Sequence, residues 1–199
     1  MSKLKNKYLI LIVGPSASGK SHILNHLTQN GYQRIVSTTT RQMRSGEVNG
    51  YDYYFITPDQ SKEIDSVKGF VERVDYAGVT YGVTHSEFET KLEKDGVAFL
   101  IVEPKGIDKY KQYCQTYGII PITIYVDTHD SVRFERLKQL ATIREGYQNY
   151  SEQGIDRIIR SAVNEKDWMT YQNWNYILSG TDSVEHNYGI ITKIIGELK

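Results

Sequence analysis

Two groups of residues in this sequence could handle phosphate. The first is Gly14-Pro15-Ser16-Ala17-Ser18-Gly19-Lys20-Ser21, which fits G-x-x-x-x-G-K-[ST]. In that pattern the glycines let successive backbone N–H groups curl around one anion, and a following helix N-terminus adds partial positive charge. Lys20 is placed to reach the β- and γ-phosphates of a nucleoside triphosphate, and the Ser21 hydroxyl to sit on Mg²⁺. Without context the run would be a flexible Gly/Ser surface loop. Its context, an apolar strand before and a helical pattern after, favours a phosphate cradle.

The second group lies in STTTRQMRSGEVNGYDYYF, Ser37 to Phe55, where Arg41 and Arg44 stand three apart beside a Gly-Glu-Val-Asn-Gly turn. On their own, two such arginines form a solvated face. Beside a phosphate loop they take another meaning, because a phosphoryl acceptor is often itself a phosphate. Guanidinium forks suit a monophosphate dianion, and a tyrosine hydroxyl such as Tyr53 or Tyr81 can complete the cage. An acceptor that is already anionic needs no general base. The protein would mainly align two phosphates in line and offset their repulsion.

These groups need elements to hold them. Tyr8–Val13 is a continuous apolar run, as expected of a strand buried on both faces. A helix should follow the loop to about Gln29, closed by Asn30-Gly31. Strand-like pieces and turns fill 32–55, Thr57 to Lys68 suits a short helix, and Phe70–Tyr76 alternates like a strand. After a turn at Ala77-Gly78 comes a helix in SEFETKLEKDG, stopped by Gly96, then a buried strand Val97–Val102. GIDKYKQYCQTYG reads as a helix and Ile119–Val126 as a strand. DSVRFERLKQL should be helical, ATIREGYQNYSEQG a polar interruption, and about Ile155 to Tyr171 a long helix before a strand at Trp174–Leu178. The closing helix should start near Ser183, with Asp182 and Glu185 as a capping-box-like pair. Strands alternating with helices imply an α/β fold, a parallel sheet covered on both sides.

The totals narrow the partners. A chain of 199 residues fits one domain with a sizeable core. Its 24 basic and 24 acidic residues balance, against the broad basic footprint of a nucleic-acid binder. A single cysteine, Cys114, excludes an internal disulfide framework and a cysteine zinc site. The apolar run near the N-terminus is too short for a signal h-region or a membrane span, which places the protein in the cytosol (cytoplasmic).

Taken in order and spacing, GPSASGKS, STTTRQMRSGEVNGYDYYF and FVERVDYAGVTYGV resemble the guanylate kinase family. The resemblance runs from Tyr8 through the final helix and weakens after about Phe88. It implies a three-layer α/β/α P-loop core (1–36, 89–137 and 161–199), an inserted NMP-binding lobe at 37–88 and a lid at 138–160. It implies ATP and Mg²⁺ as donor and cofactor, and nucleotide substrates as partners. No nucleic acid or membrane is implied, and the assembly would be a monomer or homodimer. Carried over by position, Arg41, Arg44, Tyr53 and Tyr81 would hold the acceptor phosphate, and Ser37, Glu72 and Glu103 would face the base. Arg136, Arg144 and Arg160 match the arginines that steady the transferring phosphoryl group, with Lys20 and Arg41 completing the catalytic set. Arg157 competes with Arg160 for its place.

Guanine offers an acceptor at O6 and donors at N1 and N2. A carboxylate at Glu72 can accept from both donors, and the Ser37 hydroxyl can donate to O6. Two positions depart from the family pattern. Where the family has Y-G-[ST], this chain has Tyr81-Gly82-Val83, so one hydroxyl near O6 is missing. Where it has D-x-D-x-Q-G, this chain reads Ile101-Val102-Glu103-Pro104-Lys105-Gly106. These are tolerated drift or a changed preference, for example for a deoxy or modified purine monophosphate. Two other readings stay open. One is a ribose 1,5-bisphosphate kinase, which shares the Tyr-Gly-Val. The other is a non-catalytic guanylate-kinase-like interaction module, against which the complete P-loop stands.

Overall fold

The computed structural model describes residues 6–44, 46–76, 78–145, 159 and 161–198. A five-stranded sheet has the order Gln33–Arg34, Val97–Ile101, Lys7–Val13, Ile119–Asp127, Tyr176–Ser179, and a four-stranded sheet the order Tyr54–Phe55, Thr38–Thr39, Val79–Thr84, Phe70–Tyr76. β1 (Lys7–Val13) buries Leu9 through Val13 completely, as a strand covered on both faces must. β2 (Gln33–Arg34) runs parallel to β7 (Val97–Ile101), and β8 (Ile119–Asp127) runs parallel to β9 (Tyr176–Ser179). The α/β architecture with parallel pairing is the one the sequence predicts.

The chain forms two compact units. One comprises Met1–Ile10, Gly31–Leu100 and Lys105–Ile122. It carries β3 (Thr38–Thr39), β4 (Tyr54–Phe55), β5 (Phe70–Tyr76) and β6 (Val79–Thr84), with α2 (Pro58–Ser66), α3 (His85–Asp95) and α4 (Ile107–Thr116). Thr57 and Gln60 form a reciprocal capping box at the head of α2. Phe88 of α3 packs its ring on Tyr110 and Tyr113 of α4, with centroids 5.9 and 4.8 Å apart.

The other unit comprises Leu11–Asn30, Ile101–Pro104 and Thr123–Lys199. It holds α1 (Lys20–Gln29), α5 (Asp130–Glu145) and α6 (Val184–Glu197). α1 buries Ile23, Leu24 and Leu27 on one face, and α6 buries Ile191, Ile194 and Ile195. Each such side chain contributes about 1.5–3 kcal/mol. The His26 and Tyr188 rings meet edge to face at 5.1 Å where these two helices pack.

Four sequence expectations need correction. β6 is a full strand where only a turn and then a helix were expected. Gly82 breaks its apolar alternation, yet a Cβ there would lie 2.6 Å from the Glu72 carbonyl and 2.7 Å from the Phe70 ring, so the bulged pairing with β5 demands glycine. α5 continues through Glu145, because Ala141 to Glu145 contains no helix breaker. The helix expected to reach Tyr171 ends earlier: residues 161–164 are helical, and Trp168–Thr170 forms a single 3₁₀ turn. There the Glu165 N–H still bonds the Ser161 carbonyl, whereas the Trp168 N–H bonds Glu165. Finally, Ser183 rather than Asp182 caps α6, its hydroxyl accepting from the His186 N–H at 3.1 Å. The register moves by one residue, so Glu185 is not the capping partner.

Candidate active site

The phosphate loop leaves β1 at Gly14 and enters α1 at Lys20. Gly14 has φ 151°, and a Cβ there would lie 2.5 Å from the Val126 carbonyl, so only glycine lets the loop fold onto β8. Gly19 is the N-cap of α1, with φ 108° and no side chain to bond the first-turn N–H groups. No acidic residue occupies that first turn. The helix end is therefore positive and uncapped by any side chain, which suits an anion. Ser21 is exposed in the same turn. The Thr128 hydroxyl donates to the Ser18 carbonyl at 2.9 Å, backing the loop from the end of β8.

The Lys20 ammonium donates to the carbonyls of Gly14 and Pro15, both at 2.7 Å. Burial pushes its pKa down to about 8; Glu165 opposes the fall, Arg133 adds to it and Glu103 opposes it. Arg136 of α5 donates to the Ala17 carbonyl at 3.2 Å and to the Gly180 carbonyl at 3.0 Å, which sets its guanidinium against the loop. Arg144 falls in the last turn of α5. Its side chain, with Arg157, Arg160 and most of the expected lid, lies outside the described residues.

Neither Arg133 nor Glu165 is a sequence expectation, yet both grip Ser16. Glu165 accepts from the Ser16 N–H at 2.9 Å and from its hydroxyl at 2.6 Å. Arg133 donates to the Ser16 carbonyl at 3.0 Å and to Glu165 at 2.9 Å. It also bonds Ser161 and pairs with Asp130, and Ser161 in turn bonds Glu165. The Arg133 and Glu165 side chains are 3% and 11% exposed, so this is a buried pair with its hydrogen bonds supplied. They stand 32 residues apart, and no local pattern announces them.

The candidate acceptor residues lie in the first unit. Arg41 and Glu47 join fork to fork, and Glu47 also takes the Arg44 backbone N–H at 2.8 Å. The Arg41 guanidinium lies 5.5 Å from the ring centres of Tyr53 and Phe55, and the Tyr53 and Tyr81 rings are 6.1 Å apart. The hydrogen bond that Arg41 donates to Glu47 raises the Arg41 pKa against its partial burial. Burial tends to raise Glu47, but the Arg41 side chain, the Arg44 backbone and their charges hold it below its ordinary value. Burial raises Tyr53, with Tyr81 adding to it, which keeps the phenol protonated as a donor. Arg44 is exposed. Glu47 lay inside the quoted motif; its spacing from Arg41 was the available signal.

On the sheet above, Thr38 pairs Gly82, and Glu72 stands opposite Val83. Extending that register by one residue puts Ser37, Val83 and Glu72 in one row across β3, β6 and β5. Ser37 is fixed by its carbonyl, which accepts from Tyr54 N–H at 2.9 Å, and by its neighbour Val36, whose N–H bonds the buried Glu87 at 3.0 Å. Val83 is 1% exposed. Thr84 does not stand in for the missing hydroxyl, because it caps α3 by accepting from the Glu87 N–H. Tyr110 of α4 donates to Glu72 at 3.3 Å, and the Lys109 ammonium lies 3.9 Å from the same carboxylate. Burial, then Glu72, raises Tyr110 well above its ordinary value, so it stays a donor. Glu103 is exposed, in the unit that carries the P-loop.

The sequence profile of the family described as Guanylate kinase matches residues 6–198. The chain belongs to the guanylate kinase family. It is 29% identical over 182 residues to a guanylate kinase of Wigglesworthia glossinidia brevipalpis, covering 89% of this chain and 82% of that one. It is 29% identical over 177 residues to one of Shewanella frigidimarina (strain NCIMB 400), covering 87% and 80%. The solved guanylate kinase from Anaplasma phagocytophilum superimposes with a TM-score of 0.67 at 20% identity, covering 98% of this chain and 87% of that one, a likeness of fold. Guanylate kinase membership agrees with the resemblance carried by the P-loop and the arginine motif. No described helix is long and apolar enough to cross a membrane.

Proposed function

We propose that this protein transfers the γ-phosphoryl group of ATP to GMP or dGMP, giving GDP or dGDP. The observation that carries it is the loop GPSASGKS folded between β1 and α1, with an uncapped helix end and the Lys20 ammonium bonded at the loop carbonyls. On arrival of ATP, Lys20 exchanges those carbonyls for β- and γ-phosphate oxygens, and the loop N–H groups hold the rest. Ser21 is exposed in the first turn of α1, where its hydroxyl would help hold Mg²⁺ beside the nucleotide phosphates. Among the described residues no group of three or more His, Cys, Asp or Glu could hold a metal by itself, so the donor set fits a metal carried in with the nucleotide. Bound there, Mg²⁺ would neutralise charge on the phosphates.

Arg41, Arg44, Tyr53 and Tyr81 hold the acceptor phosphate, and Arg136, Arg144 and Arg160 steady the group in flight. Glu72 accepts from guanine N1–H and N2–H, Ser37 donates to O6, and Val83 gives an apolar wall where a hydroxyl would stand. We assign Glu103 to the base-facing set by its place after β7. Residues 37–88 serve as the acceptor lobe and 138–160 as a lid whose closure excludes water. The enzyme works in the cytosol as a monomer or homodimer.

The test is a coupled ADP-release assay across the common ribo- and deoxyribonucleoside monophosphates and ribose 1,5-bisphosphate. GMP or dGMP should give the highest kcat/KM. Preference for AMP or for ribose 1,5-bisphosphate would overturn the reading, and no turnover with any of them would favour an interaction module.

A further inference from the structure

All three polar groups of Ser16 are taken by one buried ion pair. Its N–H and hydroxyl go to the two oxygens of Glu165, at 2.9 and 2.6 Å, and its carbonyl receives Arg133 Nε at 3.0 Å. Ser16 is the third residue of the phosphate loop, so its peptide planes fix the direction of the loop N–H groups that follow. An exposed pair would contribute little here, but this one is closed on every side: Arg133 also reaches Ser161 and Asp130, and Ser161 reaches Glu165. Arg133 comes from the first turn of α5, whereas Ser161 and Glu165 come from the segment before β9. Two distant pieces of chain thus converge on one residue of the cradle.

We propose that Glu165 and Arg133 are positioning residues for the donor nucleotide: they act through Ser16 to hold the phosphate loop in its binding shape. This rests on the loop being the ATP site. Neither residue needs to touch the nucleotide. Glu165→Gln keeps the size but turns one acceptor oxygen into a donor facing Arg133, so the grip on Ser16 loosens and the guanidinium loses its counter-charge. The expected result is a loss of affinity for the donor nucleotide with the acceptor side unaltered.

The experiment measures ADP and GMP dissociation constants by calorimetry, and KM for each substrate by ADP release, in the wild type, Glu165→Gln, Ser16→Ala and the double variant. Glu165→Gln should weaken ADP binding and raise KM for ATP by about ten-fold or more, with the GMP constants changed less than about two-fold. Ser16→Ala, which keeps the N–H but loses the hydroxyl bond, should cost less. The double variant should fall short of the product of the singles by about three-fold or more, since Glu165 acts through Ser16. Glu165→Asp, retaining the charge, should recover part of the loss. Wild-type ADP affinity in folded Glu165→Gln, or multiplicative effects in the cycle, would overturn the proposal. A wild type that binds ADP and phosphorylates GMP keeps the functional reading standing in that event; a wild type that does neither overturns both.

Discussion

Arg41 and Glu47 share two parallel hydrogen bonds, Nη1 to Oε2 at 2.9 Å and Nη2 to Oε1 at 2.8 Å. The pair is only about one-sixth exposed, with side chains 15% and 16% accessible. Glu47 therefore sets the plane of the guanidinium that we propose as a ligand of the acceptor phosphate. Glu47→Gln replaces one of those acceptors with a donor. We expect KM for GMP to rise about five- to twenty-fold, matching ~1–2 kcal/mol for a partly exposed charged pair, while KM for ATP stays within about two-fold. Steady-state kinetics with each substrate varied in turn would check it, and an unchanged KM for GMP would sink it.

The same carboxylate gives a pH dependence with a definite sign. Glu47 has a folded pKa below its ordinary 4.5. The stability it contributes is fully present above the unfolded value and is lost as pH falls through the folded one. Between about pH 5 and about pH 3 the wild type should therefore lose more thermal stability than Glu47→Gln. Melting curves recorded across that window decide the matter; parallel losses would mean that the pair carries no linkage.

Lys20→Ala removes the ammonium that bridges Gly14 and Pro15 and would reach the β- and γ-phosphates. Phosphoryl transfer should fall by about 10³-fold or more, with the circular dichroism spectrum retained. Normal turnover in a folded variant would defeat the donor-site assignment.

Base selection should depend on Glu72 and, through it, on Tyr110. Glu72→Gln is expected to lower the GMP-to-AMP ratio of kcat/KM by about 10²-fold or more, because a buried acceptor for N1–H and N2–H is degraded. Tyr110→Phe, which deletes a 3.3 Å bond to that carboxylate, should lower it by about three- to ten-fold. Competition between the two monophosphates is the measurement. A ratio that Glu72→Gln leaves untouched contradicts the base-reading role.

Gly180 should not tolerate a side chain. An added Cβ would lie 1.9 Å from the Ser18 carbonyl and 2.1 Å from the Thr128 hydroxyl. Gly180→Ala is expected to lower stability by ~1–3 kcal/mol and to weaken ADP binding before GMP binding. Chemical denaturation and calorimetry test the two parts, and a stable variant with normal ADP affinity refutes both.

Much of this was legible where the chemistry is local. The apolar run Tyr8–Val13 and the glycines of the loop each act over a few residues, so their types reveal strand and cradle. Asp182 and Ser183 are adjacent and both suit an N-cap, so residue type does not choose between them; only the backbone decides. β6 was missed because Gly82 answers to Phe70 and Glu72 on the neighbouring strand, not to its own neighbours. Arg133 and Glu165 were missed for the same reason at longer range: each is an ordinary helix-surface residue type until Ser16 is folded beside it.

The cradle lies near the start of the chain, yet Thr128, Glu165 and Gly180 finish it. About 160 residues must be made after Lys20 before Gly180 exists, roughly 8–30 s at ~5–20 residues per second. A growing chain on the ribosome can therefore display GPSASGKS long before it can hold a nucleotide. A nucleotide that binds only the completed cradle would stabilise finished chains and not partial ones, and so would separate the two by their resistance to proteolysis.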